Sequence, residues 1–146
     1  MTKEFLPTPP IESATDPIGS AADLRQRWRA VMGELGFGEL LLWFAFVGPD
    51  RRLTKVISHV PIGARPAAVV VDHLMLGLTV LLDGADEGST VALLLTRPGG
   101  GTISNADRRW ADALIEAAQR FGVPIEPIFR ANDEAVILIG PESRAA

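Results

Sequence analysis

A reactive site needs nucleophiles, acid–base groups or metal ligands held close together, and this sequence offers few of them. It contains no cysteine and only two histidines, His59 and His73. The first absence excludes a disulfide scaffold, cysteine-ligated zinc, iron–sulfur clusters and a cysteine nucleophile. The second excludes a metal site built from three histidines of one chain. Asp72-His73 has the composition of an acid–base pair, but adjacent helical residues point about 100° apart and do not face one substrate atom. His59 falls in an alternating run with no acidic residue at dyad spacing, and no serine occupies a G-x-S-x-G elbow.

Two motifs remain. Pro98-Gly99-Gly100-Gly101 follows an apolar run and precedes a helical pattern, which is where phosphate-binding loops sit, because helix N-terminal N–H groups face an anion there. It matches neither G-x-G-x-x-G nor G-x-x-x-x-G-K-[ST], and no lysine follows. The loop therefore reads as a flexible strand-to-helix connection, with small-ligand binding as the alternative. Ser104-Asn105-Ala106-Asp107 is an S-x-x-D capping box, in which the serine hydroxyl accepts the N3 N–H and the aspartate reaches back.

The elements that must position these residues follow from periodicity and punctuation. Ser20 caps a helix whose apolar positions Leu24, Trp28, Val31, Met32 and Leu35 recur at helical spacing until Gly36 and Gly38; Arg25, Arg27 and Arg29 form its solvated face. Leu40 to Val47 is a continuous apolar run, read as a strand buried on both faces. The turn Gly48-Pro49-Asp50 then leads to the alternating run Leu53 to Val60, making a hairpin. Pro66 to Leu82 is long, starts with proline and is apolar all round, predicting a buried helix. Thr90 to Thr96 reads as a second fully buried strand. Ser104 opens an amphipathic helix with Trp110, Leu114, Ala117, Ala118 and Phe121 on one face, closed by Gly122 and Pro124. Strands over Ile125–Phe129 and Ala135–Ile139, joined by a turn at 131–134, complete an order α-β-β-α-β-α-β-β. This predicts an α/β (α+β) domain over residues 20–140: a three-layer-like arrangement in which a mixed sheet of about five strands is flanked by three helices. Before it stands a flexible Pro-rich arm, residues 1–19, and after it a short tail, 141–146.

The bulk properties suit that reading. A length of 146 residues with 47% hydrophobic content holds one core-forming domain. Net charge is −4, from 14 basic and 18 acidic residues, so no domain-wide positive field gathers nucleic acid or anionic membrane. The N-terminus lacks the apolar core of a signal peptide, and the longest apolar stretch is short of a bilayer span and contains Asp72 and His73. A cytoplasmic protein without membrane association is expected.

From Ser20 onward, the order of elements together with GELLLWFAFVGPDRRLTKVISHV, RPAAVVVDHLMLGLTVLL and LTRPGGGTISNAD resembles a degenerate member of the JAB/MPN metallopeptidase superfamily, closest to the RadC-like domain. The resemblance covers about 120 residues and implies a cytidine-deaminase-like layout. Carried over residue by residue, it puts Glu39 at the family's acid/base glutamate, Ser104 at its oxyanion-stabilising serine and Asp107 at its metal-ligand aspartate. Leu95 and Arg97 stand where the two metal-binding histidines would be, and the loop is one residue shorter. A catalytic zinc takes about three protein ligands and an open position; Asp107 alone does not supply them. The resemblance thus implies no catalytic residue, no metal and no cofactor. Glu39, Ser104 and Asp107 remain as vestigial positions, and an Arg97–Asp107 ion pair replaces the metal contact.

The function expected on this basis is a catalytically silent module acting through protein–protein contacts. Self-association is included, because inactive members of that superfamily pair with related domains. Trp28, Phe37 and Trp43 are candidate interface aromatics. If a ligand binds, Arg97, Gly99, Gly100, Gly101 and Asp107 are its candidate contacts. The alternatives are a metal-dependent hydrolase using Glu39 and Asp107 with His59 or His73, and a nucleic-acid binder using Arg25, Arg27, Arg29, Arg51, Arg52, Arg108 and Arg109.

Overall fold

Side chains that alternate along the inner strands separate the molecule into layers. The computed structural model describes residues 8–140 except 34 and 36. Along β1 (Leu41–Val47), Leu42, Phe44 and Phe46 enter one core and Trp43, Ala45 and Val47 the other. β1 pairs antiparallel with β2 (Leu53–Pro61) on one side and with β3 (Thr90–Thr96) on the other. β3 pairs parallel with β4 (Ile128–Ala131), which pairs antiparallel with β5 (Val136–Gly140), giving a mixed five-stranded sheet in the order β2-β1-β3-β4-β5. Helices α2 (Ala68–Asp83) and α3 (Asn105–Phe121) cover one face and α1 (Ala21–Met32) the other, so the domain is α+β with three layers.

β3 is buried along almost its whole length, Val91 to Thr96, as expected for a central strand with both faces covered. α3 follows from its sequence equally directly. Its Ser104–Asp107 capping box is complete, Gly122 closes it in the left-handed conformation at φ +69°, and Trp110, Leu114, Ala117 and Ala118 form the buried stripe.

Several local expectations change. α1 ends at Met32, because Gly33 at φ +68° takes over as its cap and donates its N–H to the Arg29 carbonyl at 3.0 Å; Leu35 therefore lies beyond the helix. Its arginines do not form a solvated face: Arg29 is buried, and Arg25 Nε donates to the Val136 carbonyl at 2.7 Å. The proline-rich arm takes regular structure from Ile11 and is pinned to the domain at two points. Ile11–Thr15 form a 3₁₀ helix, Ala14 and Ile18 are buried, and Ile18 exchanges hydrogen bonds with Arg51 across the hairpin turn. Residues 1–7 and the tail 141–146 lie outside the described residues. β4 begins three residues later than expected, since Pro127 has no N–H for a ladder; Ile125 makes only a lone bridge to Val91.

The largest departure is α2. It is not buried all round: Val71, Met75 and Leu78 face the core, while Val69, Val70, Leu76, Val80 and Leu81 are each about half exposed or more. A helix in an outer layer meets the sheet along one stripe, and no described element covers its other side. Among the described residues no helix is long and apolar enough to cross a membrane.

Candidate functional site

The C-terminal ends of β3 and β4, the one parallel strand pair among the described residues, form the crevice where α/β proteins usually place their sites. Arg97 leaves β3 there with its N–H on the Ala131 carbonyl at 3.0 Å. Its guanidinium meets Asp107 in the first turn of α3, with Nε 3.1 Å from Oδ1 and Nη2 3.2 Å from Oδ2. The same carboxylate accepts the Ser104 N–H at 2.9 Å and lies 3.6 Å from Nη1 of Arg130 on β4. Burial by itself would raise the Asp107 pKa; the hydrogen bonds from Arg97 and Ser104 and the charges of Arg97 and Arg130 outweigh it and hold the group below its ordinary value. Arg130 is fully buried, and that burial, followed by the Arg97 charge, lowers its pKa from the ordinary arginine value.

The two arginines also hold the glycine loop. Arg97 Nη2 and Arg130 Nη1 donate to the Thr102 carbonyl at 3.2 and 3.1 Å, and Arg130 Nη1 and Asn132 Nδ2 donate to the Gly101 carbonyl at 3.2 and 3.0 Å. From the β4–β5 turn, Asp133 accepts the Gly99 N–H at 2.8 Å and Glu134 accepts the Gly101 N–H at 2.7 Å. Gly99 and Gly101 have φ of +88° and +96°, a region glycine adopts freely, and each turns its N–H to a separate anionic acceptor. The anions here are the protein's own carboxylates. This loop is anchored rather than flexible, and the two N–H groups a phosphate would use are engaged.

Gly100 sits against the same turn: a Cβ built on it would lie 2.6 Å from Glu134 Cδ. Gly100→Ala should push Glu134 off the Gly101 N–H and cost about 1–3 kcal/mol, the range for stranding a partly buried polar group. In a Glu134→Ala background the same change should cost much less. Denaturant unfolding of the four proteins reads this coupling, and additive losses would refute the contact.

A cleft of about 170 Å³ opens beside the Arg97–Asp107 pair, with Leu40, Ile62, Leu95, Ala106 and Trp110 among its walls. Leu95, Arg97 and Asp107 therefore share one pocket, and Ser104 stands next to it as the helix cap. Glu39 is exposed in the bend before β1 and does not line the cleft. The histidines lie elsewhere. His59 lies against Trp43 on the other face of the sheet, the rings tilted by 41° with centroids 4.4 Å apart, and His73 is exposed on α2. Among the described residues no three His, Cys, Asp or Glu side chains group closely enough to hold a metal ion.

The arginine runs read as candidate phosphate contacts are largely engaged within the chain. Arg51 pairs with Glu126 through two hydrogen bonds of 2.7 and 3.0 Å, and Arg52 donates to the Thr15 carbonyl at 3.1 Å. Of the aromatics offered as interface residues, Trp28 is fully buried, and Phe37 and Trp43 pack against its cluster. Sequence reasoning missed Arg130, Asn132, Asp133 and Glu134. The available signal was Arg130 itself, a charge inside the otherwise apolar run Ile128 to Ala131, since arginine is almost never fully buried without a partner. The chain matches no protein-family model and no curated protein.

Proposed function

We propose that this chain is a catalytically silent module of JAB/MPN type, closest to the RadC-like domain, that acts through protein contacts. One observation carries the reading: the guanidinium of Arg97 lies against Asp107 in the cleft that Leu95 also lines. In the resemblance those three positions are the metal ligands. As they stand they do not fit a catalytic zinc. Leu95 has no donor atom, Arg97 carries a permanent positive charge and only N–H groups, and both carboxylate oxygens of Asp107 accept hydrogen bonds. The ion pair does the mechanical part of the metal's work by joining the end of β3 to the start of α3.

Elemental analysis tests the reading. The purified protein should carry no stoichiometric zinc, whereas the Leu95→His/Arg97→His double variant should gain about one zinc per chain and lose it when Asp107→Ala is added. Stoichiometric zinc in the unaltered protein, lost on Arg97 or Asp107 substitution, would overturn the silent assignment. A double variant that folds and takes no zinc would count against the ancestry.

A further inference from the structure

The exposed side of α2 carries a pattern that the single chain does not explain. Five of the six large apolar side chains exposed among the described residues, Val69, Val70, Leu76, Val80 and Leu81, lie on this one helix. At 3.6 residues per turn they fall on a single stripe together with His73 and Gly77. With each of the five about half exposed or more, they form a contiguous apolar patch of the kind that marks an interaction site. Gly77 is equally unexplained. Glycine is a poor helix former, and a Cβ there would meet nothing within 4 Å in this chain, so the fold of one chain does not call for it.

Deepening the reading of this chain as a protein-contact module, we propose that the partner is a second copy of the same chain, packed antiparallel along α2 about a twofold axis near Met75. A twofold interface must be self-complementary, with residue i meeting j and j meeting i. The stripe has that symmetry: Val69 falls opposite Val80 of the other copy, Val70 opposite Leu81, and His73 opposite Gly77, where the missing side chain leaves room for the imidazole. Charge supports the antiparallel sense. The N-cap of α2 is Ala67, which makes no capping hydrogen bond; its first turn has no acid and its last turn no base, while the acidic Asp83 stands at its C-terminal end. That is the unfavourable end for an acid in one helix alone. Antiparallel packing carries each exposed Asp83 to the positive end of the other α2, beside the exposed Arg65. Parallel packing would instead set the two Asp83 side by side.

Absence of cysteine makes the geometry directly testable, because every introduced thiol is the only one in the chain. Light scattering over a concentration series should give a dimer, and Leu76→Asp, which places two acids near the axis, should raise its dissociation constant at least ~100-fold. Circular dichroism and thermal unfolding should show Leu76→Asp still folded, since Leu76 is 53% exposed. Under mild oxidation Leu76→Cys should link to itself. Val80→Cys should not, because the two copies of residue 80 would be on the order of 15 Å apart along the helices, beyond disulfide reach. A mixture of Val69→Cys and Val80→Cys should form the mixed disulfide. A monomer at all concentrations, a dimer untouched by Leu76→Asp, or efficient self-linking at residue 80 would each overturn the proposal. None of these outcomes alters the zinc measurements, so the silent-module reading stands or falls separately.

Discussion

Asp107→Ala is expected to destabilise the domain by about 3–5 kcal/mol, the cost of removing one partner from a buried ion pair. The loss is large because this carboxylate has three roles. It neutralises Arg97, it faces the fully buried Arg130 at 3.6 Å, and it closes the α3 capping box through the Ser104 N–H. Without it two guanidinium groups share a buried corner with no carboxylate between them. Asp107→Asn separates charge from shape: it retains an acceptor for the cap but not the negative charge, so most of the loss should remain. Urea unfolding with an unchanged m-value is the measurement. A loss below about 1 kcal/mol would mean that the pair behaves like an exposed salt bridge.

Acid should reproduce part of this effect. Asp107 and Glu126 both have folded-state pKa values below their ordinary ones; for Glu126 the first cause is its hydrogen bond from Arg51. A depressed carboxylate pKa means that the unfolded chain binds protons more readily than the folded one. The stabilisation is therefore complete above the unfolded values of about 3.9 and 4.3 and is lost as pH falls through the lower folded ones. Unfolding free energy should be flat from neutrality to about pH 5 and drop below about pH 4. In Asp107→Asn the acid limb should be shallower. An unchanged limb would show that Asp107 is not depressed.

Trp28→Ala should be comparably damaging, at about 3–5 kcal/mol, for a different reason. Trp28 is the largest fully buried side chain, and it anchors α1 to the sheet face that carries Ala45, Leu94, Phe129 and Val136. That layer rests on one helix and the short 3₁₀ segment, so a cavity there has little around it to collapse inward. The indole N–H has no hydrogen-bond partner among the described residues. Trp28→Phe removes that group and keeps most of the ring, and should cost markedly less than Trp28→Ala. Equal losses for the two would overturn the packing account.

These positions differ in how far the sequence foretold them. The capping box, the Gly122 cap, the buried strand Thr90–Thr96 and the hairpin after Val47 were all readable, because each depends on residues a few positions apart. The Arg97–Asp107 pair spans ten residues and was reached through the resemblance to RadC-like domains. Arg130 was legible only as a charge inside an apolar run, and the contacts that it, Asp133 and Glu134 make were out of reach. These residues meet the glycine loop only because β4 pairs parallel to β3 in one particular register, across about thirty residues of chain.

The α2 helix shows the same division. Its apolar residues predicted burial on all sides, and burial depends on neighbours that a one-dimensional pattern does not contain.

Local chemistry alone thus determined the element order, the caps of α3 and the shortage of ligands that argues against a histidine or cysteine metal centre. Only the tertiary structure decided that the glycine loop holds the protein's own carboxylates, that Arg130 is buried beside Asp107, and that no described element covers one face of α2. The physical reason is range. Helix periods, capping and strand alternation are set within one or two turns of chain, whereas charge pairing in a buried corner and the covering of an apolar face are set by which distant segments the sheet brings together.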